Sequence, residues 1–510
     1  MAAIPTASLY NWAMNEQSFR RGIQTLRGSH DIISIEPVQV GHDRQLLMDF
    51  HVVEDLNNVR RRVHPPARHP ENPVITREAL EGKAMPYGGT VLQDGDTGRL
   101  RMWLSLGDLR QTGAAQYACC CESDDGLLWY AADQKPSSRR GGKAEAAALD
   151  STRTTPGSVL LLPERMHDRG RYGMCYPNYL TKEQIPHPET MHHMRYFTAF
   201  SEDGIHWTDA PENPVWVGRS DGTNSIVYNA KRDVFMNYRR STINAGEIRR
   251  IAYSESRDLI SWTQPVTVIT RDELDPLFLY AMPVSYYHGV YLGFLYRLDW
   301  HPDYEQNRML DNGKDFKMDT ELVWSRDGVS WQRHLKRPAF LPLSCPSMGA
   351  YDWAFATGLN NIIERDDEIF IYYGGREYLH KPGARIDEDP LRSHICLATL
   401  RRDRFVSVGT RPDGGYMLTR PLAYPGGRLH INAETAPDGF IRVAVREARG
   451  VRDGEWPEDW RFDKSVPFSG DSIDHTMAWQ GDKTLEAFPD KTLRLHFWIE
   501  NADLYSFWFE

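Results

Sequence analysis

Apolar and polar residues follow one another in short strand-like runs along most of the chain, and long helical spacing is hard to place anywhere. The runs come in adjacent pairs, the pattern of antiparallel hairpins. Gly89 to Gln93 precedes Leu100 to Leu104, and Ser158 to Leu162 precedes Tyr172 to Cys175. Ser225 to Asn229 precedes Val234 to Tyr238, and Met282 to Tyr287 precedes Val290 to Tyr296. A fifth unit runs Thr357 to Glu364, Glu368 to Gly374 and His394 to Leu400.

Four of the units close on one signature. Ser123-Asp124-Asp125-Gly126-Leu127-Leu128-Trp129 recurs as Ser201 to Trp207, as Ser256 to Trp262 without the glycine, and as Ser325 to Trp331. Asp-Gly supplies a tight turn, because Gly tolerates positive φ and Asp bonds back to the backbone. The Trp then packs that turn on its sheet. Repeated four-stranded units of this kind predict a five-bladed β-propeller. A second repeat, Glu71-Asn72-Pro73-Val74 and Glu212-Asn213-Pro214-Val215, stands before new units, where Pro ends an outer strand. Gln45 to Val53 is expected to close the ring beside the fifth blade.

Beyond about residue 412 the rhythm changes to short alternating strands, Leu429 to Asn432, Phe440 to Glu447, Asp474 to Trp479 and Thr492 to Trp498, as in a β-sandwich. The expected organisation is an N-terminal extension over 1–44, a propeller over 45–411 and a sandwich over 412–510. The fold class is all-β.

Net charge of −10 argues against a nucleic-acid partner. The most apolar long stretch, Phe278 to Tyr296, is broken by Pro283, His288 and Gly289, so no membrane span is expected. Residues 1–20 lack a basic start and apolar run, and no signal peptide is visible. Three of the six cysteines are adjacent at Cys119, Cys120 and Cys121, poor disulfide material on a strand, which fits a reducing compartment such as the cytoplasm. There is no CxxC pair, and His187, His192 and His193 are irregularly spaced, so neither a metal nor a cofactor is expected. Homo-oligomer formation is left open. The 15 Trp and 24 Tyr suit strands and also supply stacking surfaces for sugar rings.

In a propeller the innermost strands line a central funnel, so acids at their starts are the first catalytic candidates. Asp221, Asp275 and Asp352 precede the third, fourth and fifth inner strands. Asp49 interrupts the apolar run Leu46 to Phe50, where a charge is costly unless paired or functional. Glycoside hydrolysis needs one carboxyl to protonate the leaving oxygen and a second to attack or activate water. Arg239, Arg297, Trp300, His301, Arg376 and Tyr87 are the candidate substrate-binding groups, and Asp319 with Glu321 are candidates for salt bridging.

The four strand-end signatures, five units, ENPV links and C-terminal sandwich resemble the five-bladed propeller glycoside hydrolases of families 32, 43 and 68. They are most similar to bacterial proteins with a family 32 N-terminal-like domain. The resemblance implies a glycosidase acting on a carbohydrate substrate. Family 32 enzymes carry N-D-P-N-G, R-D-P and E-C boxes; none occurs intact here, and the first inner strand begins Met85-Pro86-Tyr87-Gly88-Gly89 without an acid. The readings are an exo-acting glycosidase, a furanosidase among them; a non-catalytic carbohydrate-binding propeller; and a sialidase-like hydrolase.

Overall fold

The structure, a computed structural model, describes residues 36–76, 89–107, 116–132, 147–148, 157–179, 194–215, 224–243, 248–275, 278–298, 316–345, 350–378, 393–410, 413–449, 452–453, 456–489 and 491–510. It is all-β, and its described residues divide into two compact units. Pro65–Arg402 forms one; the residues up to His64 and from Asp403 onward form the other.

The first unit is a set of antiparallel meanders. Gly89–Gln93, Leu100–Gly107 and Gln116–Ser123 make the first; Ser158–Leu161, Tyr172–Tyr179 and Met194–Ser201 the second. Asn224–Asn229, Val234–Ile243 and Ile248–Ser256 make the third. A further sheet of eleven strands narrows to one parallel bridge, Met318↔Phe355. Before the bridge lie Val284–Tyr287, Val290–Leu298 and Met318–Ser325; after it lie Phe355–Gly358, Glu368–Arg376 and Ser393–Arg401. Among the described residues this makes five meanders, each begun by an inner strand.

Hydroxyl groups tie each meander to the next, three of them at the starts of inner strands and one on a third strand. Thr90 Oγ1 accepts from Val159 N at 3.1 Å, Ser158 Oγ from Ile226 N at 2.9 Å, and Ser225 Oγ from Val284 N at 2.9 Å. Thr320 Oγ1 donates to Ala356 O at 2.8 Å. Asn360 N then donates to Gly89 O at 2.9 Å and Val91 N to Asn360 O at 3.1 Å, which joins the last meander to the first. Apolar seams follow the same circuit. Val91 and Met102 pack with Tyr372 and Leu397, and Trp103 and Cys120 with Met174. Cys175 packs with Phe235, Tyr238 with Leu295, and Leu298 with Phe355. The ring is closed, a propeller.

The repeated turns lock these seams. In each, the Ser hydroxyl accepts the N–H three residues on (2.8–2.9 Å), and the Asp carboxylate accepts the two N–H groups that follow it by two and three residues. Burial works against the Asp327 charge, but the Ser330 and Val329 N–H groups hold its carboxyl down at about 2. The turn carbonyl then accepts from the preceding meander. Trp103 Nε1 reaches Gly204 O at 2.8 Å, Tyr238 Oη reaches Gly328 O at 2.7 Å, and Tyr372 Oη reaches Gly126 O at 2.8 Å. In the copy without glycine, Leu259 itself takes φ +63°, fully buried, and its carbonyl accepts from Thr198 Oγ1 at 2.8 Å.

The second repeat has a role that its proline does not disclose. Asn213 pairs its side-chain amide with both backbone groups of Thr198 (2.8 and 2.9 Å), and Asn72 does the same with Leu397 (2.7 Å each). Each amide extends a meander's third strand by one residue-equivalent of ladder.

Gln45 to Val53 does not close the ring. Gln45–Leu46 pairs with Ser506 and Phe507, and Val53–Asn57 with Gly415–Thr419. Ala67–Arg68 instead adds a strand to Ser393–Arg401. The compact division also falls at 64/65 and 402/403, because Arg60–Val63 and Val406–Gly409 pair with each other.

In the second unit, Leu429–Arg449 and Thr492–Phe509 pair from Leu429↔Phe509 to Glu447↔Leu493 and bend at register shifts near Ala433 and Phe440. Alternation along one long strand buries Leu493, Leu495, Phe497 and Ile499 against Trp479 and Trp460, which makes the sandwich core.

Candidate active site at the axial end of the ring

Antiparallel pairing places inner-strand starts, second-strand ends and third-strand starts at one end of the ring. There the axis holds a small cavity of about 10 Å³, lined by Gly89, Gly157, Asn224, Ser225, Met282, Pro283, Tyr296 and Asn360. That is roughly the room of one water. Close approach is possible because Gly157 has no side chain; a Cβ there would stand 2.4 Å from Asn224 Oδ1.

On the strands at the same end of the ring, guanidinium groups lie on aromatic faces. Arg239 is the cross-strand partner of Asn224 and is buried, which pushes its guanidinium below the ordinary value. Arg240 lies over Tyr280 at 4.3 Å, and Arg249 over Phe278 at 4.5 Å. Arg376 lies over Phe355 at 4.5 Å and Tyr378 at 5.5 Å. At the start of the fifth meander's third strand, His394 Nε2 meets Glu377 Oε1 at 3.0 Å. Such groups offer stacking surfaces and fixed donors for a polyhydroxylated ligand.

Three of the expected acids are described, each with partners of its own. Asp352 has no exposed side-chain surface and lies over Gly375, where a Cβ would be 3.2 Å from its own. It accepts from Arg68 Nε at 2.7 Å and Tyr373 Oη at 2.9 Å. Burial opposes the Arg68 charge, yet the bond and the charge of Asp352, together with Tyr373 and Tyr351, outweigh it and hold the guanidinium above its ordinary value; burial pushes the Tyr373 phenol up.

Asp275 is gripped by both terminal nitrogens of Arg333, which also holds Glu321. Burial alone would raise the Asp275 carboxyl, but Arg333 brings it below the ordinary range. Arg297 belongs to the same ionic group, donating twice to Asp319 at 2.8 and 2.6 Å and once to Arg337 O at 2.7 Å. Asp319 and Glu321 therefore do bridge to arginine.

Asp49 is in the second unit, and in a turn rather than a strand. Its Oδ1 accepts His51 N at 3.0 Å and its carbonyl accepts from Arg61. A short polar side chain bonding the backbone two residues on is a turn-forming role, and it removes the argument from a charge inside a strand.

Asp221, Tyr87, Trp300 and His301 lie outside the described residues, as do His187, His192 and His193. Asn224, Tyr280, Arg249 and the Glu377–His394 pair were not singled out from sequence. The one available signal was position: Asn224 begins an inner strand three residues after Asp221.

No family model matches the chain, and no curated protein matches it. Solved structures do. A Bombyx mori GH32 β-fructofuranosidase is 12 % identical, with 88 % of this chain and 93 % of that one covered and a TM-score of 0.40. A structure described under the GH130 family of mannoside phosphorylases and hydrolases targeting β-1,2 mannosidic linkages in Candida mannan is 12 % identical, covering 70 % and 97 %, TM-score 0.41. An N-acetylgalactosamine deacetylase from F. plautii is 13 % identical, covering 69 % and 96 %, TM-score 0.40. Among the described residues no helix is long and apolar enough to cross a membrane.

Proposed function

We propose that this chain is a glycoside hydrolase acting on the terminal sugar of an oligosaccharide or glycoside, with its site above the axial cavity. The carrying observation is the convergence of residues from five meanders on one small cavity, with arginine–aromatic pairs on the strands at the same end of the ring. A depression encircled by sheets receives a chain end more readily than the middle of a polymer, which favours exo-action. Asp221 is the candidate acid nearest in sequence to a residue lining the cavity. It stands three residues before Asn224, and three residues of chain reach no more than about 11 Å. Tyr87 stands two residues before Gly89, another lining residue, and is a candidate sugar contact on the same ground.

Asp352 and Asp275 are assigned supporting roles, since each is already bound to arginine. That same commitment favours a second reading, a carbohydrate-binding ring without catalysis. The two readings separate on a panel of aryl glycosides and oligosaccharides. Under the first, wild type releases sugar and Asp221→Asn loses roughly 10²–10⁴ in rate, the range for an acid–base group. An active enzyme indifferent to Asp221→Asn removes this site; sugar binding without any release selects the second reading.

A further inference from the structure

We infer that the sandwich unit carries a binding site for a divalent transition-metal ion of the zinc type, formed by His430, Asp474 and Glu510. The three come from adjacent strands of one sheet: Leu429–Arg449 lies between Asp471–Thr476 and Thr492–Phe509, and Glu510 follows the last. One ligand atom from each lies within 4.8 Å of the others.

Two further observations point to a cation. The first is charge: Asp474 meets the His430 imidazole, Nδ1 to Oδ1 at 2.6 Å, and Glu510 the Trp508 indole N–H, at 3.4 Å. Two carboxylates thus flank one imidazole, and among the described residues no lysine or arginine side chain is bonded to either. The nearby cation, Arg44, lies over the Trp508 ring at 3.7 Å and is bonded to Asp403. The second is orientation: His430 stacks on Trp508 (centroids 5.3 Å apart, planes at 27°), so the ring is aimed before any ion arrives.

Ligand atoms around a tetrahedral zinc lie roughly 3.4 Å apart at bond lengths of about 2.1 Å. Closing on an ion therefore needs a shift on the order of 1 Å, which the exposed carboxylates of Asp474 and Glu510 can supply. On binding, the imidazole keeps one proton, carried on Nε2, and presents Nδ1 to the metal. A nitrogen ligand with two carboxylates suits zinc, cobalt or manganese and disfavours calcium and magnesium, which prefer oxygen throughout. Two carboxylates and one dication leave the site neutral. No Cys/His spacing announces it, because its ligands are 36 to 80 positions apart and meet only through strand pairing.

The test is titration of chelator-treated full-length protein with zinc chloride and with calcium chloride by calorimetry, and with cobalt chloride by visible absorption. One equivalent of zinc is expected, together with a cobalt d–d band that zinc abolishes. His430→Ala and Asp474→Asn are each expected to weaken zinc binding at least tenfold. Should His430→Ala fail to fold, the exposed Asp474→Asn decides alone. Zinc affinity unchanged in the variants, no zinc bound, or calcium bound as well as zinc would each overturn the assignment. None of these outcomes depends on the glycosidase reading.

Discussion

Tyr372 donates its hydroxyl hydrogen to the carbonyl of Gly126 at 2.8 Å, across the join between the last meander and the first. The Gly126 turn also sets Trp129 edge-on to the Tyr372 ring, with centroids 5.4 Å apart. Tyr238, Gly328 and Trp331 repeat the arrangement between the third and fourth meanders, with the rings 5.4 Å apart. Ring closure therefore uses the same device as an internal seam.

Tyr372→Phe and Tyr238→Phe should each cost about 1 kcal/mol, the net value of one buried hydrogen bond. The loss is moderate because the indole N–H of Trp129 or Trp331 still reaches the same carbonyl. Chemical denaturation of the two variants should show similar shifts; a silent Tyr372→Phe would count against closure at that seam.

Gly328→Ala should destabilise by about 2 kcal/mol or more. Its φ is +76°, and an added Cβ would stand 2.0 Å from Met236 Cε. Leu259 tolerates φ +63° because its side chain is fully buried among Phe200, Ile226 and Phe235. Leu259→Ala keeps the strained backbone and loses that packing, so roughly 2–5 kcal/mol is expected on thermal or urea unfolding.

Much of the ring was legible because its signal is local. Ser-x-Asp-Gly turns and paired strand runs specify hydrogen bonds within a few residues, and the structure forms them as read. The partners of Asp352 and Asp275 were illegible for the opposite reason. Their arginines, Arg68 and Arg333, stand 284 and 58 residues away, and only the folded chain reveals that both acids are already bound. The misplaced segment Gln45 to Val53 shows the same limit, since alternation identifies a strand without naming its neighbour.

Asp275→Ala should lower stability by about 3 kcal/mol, because it leaves Arg333 buried with one partner instead of two. The signature of a supporting role is a lowered unfolding midpoint with turnover per folded molecule nearly unchanged. A large loss of turnover at unchanged stability would return Asp275 to the catalytic set.

Burial under Trp456 and Phe462, with Arg446 adding to it, pushes the His496 imidazole down from 6.5 to about 4. Among the described residues neither of its ring nitrogens has a hydrogen-bond partner. The unfolded ring takes up a proton below its ordinary value while the folded ring resists, so this contribution is complete above about pH 6.5 and is lost as pH falls toward about 4. The drop in thermal midpoint between about pH 7 and about pH 4.5 should be smaller in His496→Phe than in wild type. Equal drops would show that the ring titrates freely.

The position of a bound sugar decides the rest. In a crystal soaked with a monosaccharide that the protein binds, density is predicted at the axial end of the ring, beside Asn224 and the Tyr280 and Arg376 wall. Sugar density confined to any other face of the molecule would contradict the account.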